Sequence, residues 1–198
     1  MNPGKFIVLE ALDGVGKTTL TAGLATTLPA VALAMPGLPR PVMHAVFTGL
    51  GPDPTARCLF HAAAARAIGL RARELAAGGQ HVIVDRYWLS ALAYARARGM
   101  AADFSAIEAQ IPEPDLTVVL TLAEGERQRR LVQRGATEVD RETLSTAFQS
   151  AVFTEFGRQD RAKAWRPQLT FDVTGLTVAG ALTKVLDALR GLGVGSGS

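Results

Sequence analysis

The sequence predicts an α/β fold: one parallel sheet of five strands, with helices on both faces. Two observations carry this. Short apolar runs suited to buried strands alternate along the chain with stretches of helical spacing, the pattern of strand–helix–strand units. The first apolar run, Phe6 to Leu9, leads at once into Asp13-Gly14-Val15-Gly16-Lys17-Thr18-Thr19 and then into Leu20, Leu24 and Leu28 at helical spacing. A strand, a glycine-containing turn ending in Gly-Lys-Thr and a helix form a phosphate-binding loop.

The remaining elements follow in order. Ala30 to Met35 reads as the second strand, and Pro36, Gly37, Pro39 and Pro41 enforce a loop after it. Val42 to Leu50 reads as a short helix. After the Gly51-Pro52-Asp53-Pro54 break, Thr55 to Ala77 is rich in alanine and arginine and favours a helix, stopped by Gly78-Gly79. His81 to Asp85 is the third strand and Arg86 to Arg98 a helix. Asp103 caps a short helix reaching Gln110. Leu116 to Leu122 is the fourth strand, and Glu124 to Arg134 a helix closed by Gly135. Asp140 to Ala164 has the period of one long helix. Leu169 to Val173 is the fifth strand and Thr177 to Leu189 the last helix. Phe148, Phe153 and Phe156 are expected in the core. Residues 1–190 form one domain with a lid at about 127–141, and 191–198 are a flexible Gly/Ser tail.

Composition narrows the classes. The 198 residues suit a single domain with a sizeable core, and 48% hydrophobic with 20% charged residues is an ordinary globular balance. A formal charge of +3, with arginines scattered rather than massed, gives no support for nucleic acid as a partner. Cys58 is the only cysteine, so neither an intramolecular disulfide nor a cysteine zinc site forms. His44, His61 and His81 lack metal-ligand spacing. With no signal peptide and no apolar run able to span a bilayer, the expectation is a cytoplasmic enzyme without a membrane partner.

The chemistry concentrates at the strand ends. In the phosphate loop, backbone N–H groups of Asp13, Gly14, Val15 and Gly16 face one concavity, helped by the helix N-terminus at Lys17, Thr18 and Thr19. Lys17 reaches the β- and γ-phosphates, and the Thr18 hydroxyl is placed to ligate Mg²⁺. The first glycine of the G-x-x-x-x-G-K-[ST] pattern is replaced by Ala11, which predicts a local backbone adjustment there. Asp85 ends an apolar strand on the same edge. It either holds Mg²⁺ or polarises the attacking group, or it merely caps the following helix. Arg86, a cation near a helix N-terminus, calls for a bound anion or a surface carboxylate. Arg127, Arg130 and Arg134, three and four residues apart, share a helical face. That face is either a lid over transferring phosphate or a solvated basic surface. Arg66 points to the site or to water. Phe60, Tyr87, Trp88 and Tyr94 either stack on a base or belong to the core.

These motifs together resemble the thymidylate kinase family. Phe6-Ile-Val-Leu-Glu-Ala-Leu-Asp-Gly-Val-Gly-Lys-Thr-Thr looks like its phosphate loop. Asp85-Arg86-Tyr87 with Ser90 and Ala93-Tyr94 resembles its D-R-Y-x-x-S-x-x-A-Y segment. Pro114-Asp115-Leu116-Thr117, Arg134-Gly135, Asp140-Arg141 and Phe171-Asp172 resemble its fourth strand, lid and last strand. The resemblance runs from Phe6 to Leu189. It implies a three-layer P-loop nucleoside monophosphate kinase that uses ATP and Mg²⁺ to phosphorylate dTMP by direct transfer, often as a homodimer. On it, Lys17, Asp85, Arg86, Arg130 and Arg134 are the catalytic residues, and Thr18 and Asp85 organise the metal. Asp13, Pro36, Phe60, Arg66, Arg86, Ser90 and Tyr94 bind the acceptor. The phosphate loop carries no arginine, so the lid arginines must clamp.

Departures from the family fall on the acceptor side. Its R-E-P-G is Ala34-Met35-Pro36-Gly37 here, with Arg40 a partial substitute. The phenylalanine that stacks on the base, four residues before the arginine matched to Arg66, is Ala62, with Phe60 and His61 nearby. Ala91 stands beside Ser90, and Ala95 replaces a common glutamine. These departures predict weakened dTMP binding and a preference for another phosphorylated acceptor. A kinase acting on a modified nucleotide or small metabolite, and a nucleotide-binding switch without an acceptor, are the alternatives.

Overall fold

The computed structural model describes residues 3–135, 138–158 and 168–194. Its centre is a five-stranded sheet in the order β2-β3-β1-β4-β5, built from β1 (Phe6–Glu10), β2 (Val31–Ala34), β3 (Val82–Asp85), β4 (Leu116–Thr121) and β5 (Gln168–Asp172). Every pairing is parallel, with Phe6 opposite Val82, Val8 opposite Thr117 and Thr121 opposite Asp172. The five parallel strands with helices around them are the architecture the sequence predicts.

β1 lies at the centre and is buried along its whole length. Its side chains alternate between the two faces, as strand geometry requires. Ile7 and Leu9 join one apolar cluster with residues of α1 (Lys17–Thr27), α8 (Thr146–Gly157) and α9 (Val178–Gly191). Phe6 and Val8 join the other, with α3 (Pro54–Ala77) and Phe104. The helix α4 (Trp88–Ala97) is wedged between them: Leu89 and Ala93 serve the first cluster, Trp88, Ala91 and Leu92 the second. Two-sided burial fits strands that read as unbroken apolar runs.

α3 docks through its smallest residues. Cys58, Ala62, Ala65, Gly69, Ala72 and Ala76 recur at helical spacing, and all are buried. A Cβ on Gly69 would overlap the Tyr87 hydroxyl, so the close approach of α3 to that ring requires glycine there. Tyr87 and Trp88 are therefore core residues.

The chain differs from expectation in four places. Asp140 to Ala164 is not one helix: α7 (Glu138–Glu142) and α8 are separate. At the break, the Thr143 carbonyl accepts from buried Arg127, and the Ser145 hydroxyl caps the new helix at Phe148 N–H. Residues 159–164 lie outside the described part. Phe153 is 36% exposed and not a core residue, whereas Phe148 and Phe156 are buried. The helix after β3 starts at Trp88, because Arg86 has a left-handed φ of 65° that a helix cannot continue. The helix after Asp103, α5, spans only Ser105–Glu108, with Asp103 accepting from Ser105 N–H. Between β2 and α3 lies α2 (Arg40–Leu50), none of whose residues is fully buried. The remaining helix of the described residues, α6 (Glu124–Gln133), follows β4. No helix among the described residues is long and apolar enough to cross a membrane.

Candidate active site

The loop between β1 and α1 turns on two glycines, Gly14 with φ 88° and Gly16 with φ 105°. These angles favour glycine strongly, and a Cβ at Gly14 would also strike Leu131 and Arg127. Ala11 needs no such freedom. Its φ is not in the left-handed region and its side chain is buried. Its carbonyl and that of Leu12 each accept from Lys17 Nζ at 3.0 Å. Burial, with Arg86 nearby, pulls Lys17 down to about 7.

Thr18 and Asp85 meet at the sheet edge. The threonine hydroxyl donates to Asp85 Oδ2 at 2.6 Å, while the buried Oδ1 has no hydrogen-bond partner among the described residues. A buried carboxylate oxygen left unpaired is costly. A hard cation takes oxygen ligands of this kind, so a hydroxyl and an open carboxylate oxygen fit Mg²⁺.

Arg86 follows Asp85 and turns its guanidinium back across the loop. It pairs with Asp13 Oδ1 and donates to Ala11 O and Ser90 Oγ at 3.3 Å each. Tyr94 donates to the other Asp13 oxygen at 3.2 Å. Burial alone would raise Asp13, but Arg86 and Lys17 outweigh it and hold the carboxyl at about 2. Burial likewise opposes the charge on Arg86, and Asp13 reverses that, so Arg86 stays firmly protonated. Arg86 and Arg98 both lie against the Tyr94 ring, at 5.3 and 5.6 Å from its centroid.

The three arginines of α6 divide their roles. Arg127 is only 1% exposed. It pairs with Glu124 and donates to Asp13 O at 2.9 Å and Thr143 O at 2.6 Å, tying the phosphate loop to the segment after α7. It is a structural tether rather than part of an open basic face. Arg130 donates to Val15 O at 3.0 Å and pairs with Glu126; Arg134 pairs with Asp140. Both of these reach the rim of the loop.

Three neighbouring cavities lie along this edge. One of about 430 Å³ lies between the loop, Arg130 and the start of α9, lined by Leu120, Val173, Leu176 and Thr177. The middle one, about 420 Å³, holds Lys17, Thr18, Thr19, Asp85, Arg40, Arg86 and Arg134. It shares Gly14, Gly16 and Thr19 with the first. The third, about 270 Å³, shares Asp13, Met35 and Arg86 with the middle one and extends to Pro36, Ser90, Tyr94, Phe47, Arg57, His61 and Arg98.

Two residues expected at the acceptor side are elsewhere. Arg66 is exposed and donates to Gln110 O, outside all three cavities. Phe60 does not line the third cavity; its ring meets the edges of Phe47 and His61. Arg57 and His61 line the third cavity instead, on the turns of α3 that also bring Pro54 and Cys58 to it. The i, i+3, i+4, i+7 spacing of those four positions was the available signal. Arg57 lies over the Phe47 ring at 5.0 Å. Burial, then Arg98, Arg86 and Arg57, pull His61 down to about 4, so its ring is neutral near pH 7.

Two chambers flanking a cationic cavity above a phosphate loop suit group transfer between bound molecules, and on a sheet of this order the class is the P-loop kinases. A family model for thymidylate kinase matches residues 48–164. The chain is 32% identical to the probable thymidylate kinase of Pyrobaculum aerophilum over 143 residues, covering 67% of this chain and 72% of that one. It is also 32% identical to the thymidylate kinase of Bdellovibrio bacteriovorus over 184 residues, 81% of this chain and 86% of the relative. Among solved structures, the thymidylate kinase of Candida albicans superposes with a TM-score of 0.76 at 23% identity, over 98% of this chain and 94% of that one. Deoxyadenosine kinase from M. mycoides shares the fold at a TM-score of 0.68 and 15% identity, over 93% and 99%. The chain belongs to the thymidylate kinase family, and so to the ATP-dependent nucleoside monophosphate kinases.

Proposed function

We propose that the protein transfers the γ-phosphoryl group of ATP to dTMP, giving dTDP and ADP. The observation that supports this reading is the adjacency of the three cavities, which share Gly14, Gly16 and Thr19 on one side and Asp13, Met35 and Arg86 on the other. The chamber between the loop and α9 takes the donor nucleoside. The middle channel holds the phosphates against the loop N–H groups and Lys17. The chamber under α2 takes the acceptor.

Catalysis of this transfer is mainly positioning and charge stabilisation. Lys17 and the loop amides hold the donor phosphates. Thr18 and Asp85 would hold Mg²⁺, which when bound neutralises charge on the phosphate oxygens. Arg86 binds the acceptor phosphate, and Arg40 at the start of α2 adds a second cation there. Arg130 and Arg134 stabilise charge on the group in flight. Asp13, ionised at neutral pH, accepts hydrogen bonds from the acceptor sugar, and Ser90 and Tyr94 complete the wall.

We take the weakened dTMP binding expected from Ala62 to be offset by His61, a neutral aromatic ring that lines the chamber beside Phe47. Family membership favours dTMP over a modified nucleotide or other metabolite, and an acceptor chamber argues against a switch. The test is ADP release from Mg-ATP across a panel of nucleoside monophosphates. The expected result is a kcat/KM for dTMP above those for dUMP, dCMP and dGMP. Acceptor-independent ADP release, or a better acceptor than dTMP, overturns the reading.

A further inference from the structure

Glu10 ends β1, is fully buried, and takes no part in the chemistry above. A buried carboxylate needs hydrogen bonds to be tolerated. Glu10 has them from a single neighbour segment: Tyr87 N–H and Ser90 N–H each donate to Oε1 at 3.1 Å, and the Ser90 hydroxyl donates to Oε2. These are N–H groups at the start of α4, a helix without a side-chain cap of its own. Glu10 therefore supplies, from the adjacent strand, the acceptor that a capping side chain would provide.

The bonds bracket Arg86. That residue sits at φ 65°, a region disfavoured for a side chain such as arginine, so its surroundings must hold it there. On one side its N–H donates to Leu9 O at 3.0 Å; on the other the next N–H is held by Glu10. Its guanidinium donates to the same Ser90 hydroxyl oxygen whose proton goes to Glu10. With Glu10 ionised, carboxylate, hydroxyl and guanidinium thus form one chain running in a single direction.

We propose that Glu10 is a positioning residue for Arg86: through Ser90 and the first turn of α4 it fixes the guanidinium toward Asp13 and the acceptor chamber. The effect on turnover rests on the acceptor role of Arg86 proposed above; the effect on Arg86 itself does not. Glu10→Gln keeps the shape and can still accept from both N–H groups. Its amide, however, must donate to Ser90, which reverses that bond and leaves the serine proton without the carboxylate.

Two measurements on Glu10→Gln test the proposal. The first is the rate at which phenylglyoxal modifies Arg86, followed by peptide mass mapping in the free enzyme; it should rise several-fold. The second is steady-state kinetics with Mg-ATP and dTMP; kcat/KM for the acceptor should fall about tenfold, the value of one hydrogen bond to a charged group, with KM for ATP unchanged within about twofold. Ser90→Ala cuts the same link without touching Glu10. It should raise the Arg86 rate alike, and adding Glu10→Gln to it should change that rate little further; it also serves if Glu10→Gln does not fold. An unaltered Arg86 rate in the folded variants overturns the proposal, as does equal loss toward ATP and dTMP. A wild-type enzyme that ignores dTMP refutes the functional reading alone, because the modification rate is read without substrate.

Discussion

Replacing Arg127 with methionine removes the link between the phosphate loop and the segment after α7, and the cost can be worked from its bonds. The guanidinium reaches Glu124 through Nε and Nη2, Asp13 O and Thr143 Oγ1 through Nη1, and Thr143 O through Nη2. Glu124 is 36% exposed and regains water when its partner goes. The Thr143 hydroxyl keeps its own bond to Asp140 O. What remains is the Thr143 carbonyl, in a residue with no exposure, and the half-buried Asp13 carbonyl. A buried acceptor left unmade costs about 1–3 kcal/mol, and breaking a buried pair from one side costs about 3–5 kcal/mol. Partial hydration of Asp13 O places Arg127→Met near the lower figure, about 3 kcal/mol. For a chain of this length that lowers Tm by roughly 6–12 °C. Urea denaturation measures it directly, and Glu124→Gln should cost less than half as much, since its carboxylate is only one of the partners. kcat should fall as well, measured where the variant is folded, because Asp13 carries Arg86 on its carboxylate and Arg127 on its carbonyl. A destabilisation below about 1 kcal/mol with unchanged kcat would refute the tether.

Lys17→Ala should lower phosphoryl transfer by on the order of 10² or more with the fold intact, since it removes a charge at the phosphates; wild-type turnover would end the kinase mechanism. Arg130→Ala and Arg134→Ala should act chiefly on kcat and little on ATP binding, and full kcat in the double variant would exclude both from the clamp. His61→Ala should raise KM for dTMP about ten- to a hundredfold if its ring stacks on the base, a contact worth roughly 1–3 kcal/mol, whereas Arg66→Ala should leave KM unchanged; the opposite ranking would restore Arg66 to the site. Burial lifts Glu10 from 4.5 to about 7, so the folded chain keeps a proton that the unfolded chain has lost, and this stabilisation, full below pH 4.5, is lost as pH rises through 7, about 3 kcal/mol in all. Denaturation of wild type minus Glu10→Gln should show that fall, while His61, pulled from 6.5 down to about 4, tilts both proteins equally in the opposite sense; a flat difference would mean Glu10 is not carrying the proton.

The sheet and its order of elements were legible because their causes are local. β1, the glycine turn and α1 are specified by consecutive residues, and the continuous apolar run at Val82 to Val84 admits only burial on both faces. The break between α7 and α8 was not legible, because its cause is remote. The period across Leu144, Phe148, Val152 and Phe156 is helical, yet the Thr143 carbonyl is captured by a side chain sixteen residues earlier in the sequence. No pattern within the segment reports that contact.

The acceptor wall shows a different failure. Matching Arg66 by motif assigned it to the site, but a helix of 3.6 residues per turn cannot aim Arg66 and His61 the same way: five residues apart, they diverge by about 140°. The small-residue stripe from Cys58 to Ala76 fixes which side of α3 meets the core. Arg57 and His61 border that stripe on one side, and Arg66 borders it on the other, beside Gln110. The substitution at Ala62 therefore does not empty the chamber, since Ala62 is itself part of the buried stripe. A ring and a cation line the third cavity from neighbouring positions of α3, His61 and Arg57. The donor side had no such latitude. The turn there is set by Gly14 and Gly16, whose left-handed φ angles favour glycine, and in the reading proposed above its backbone amides converge on the donor phosphates.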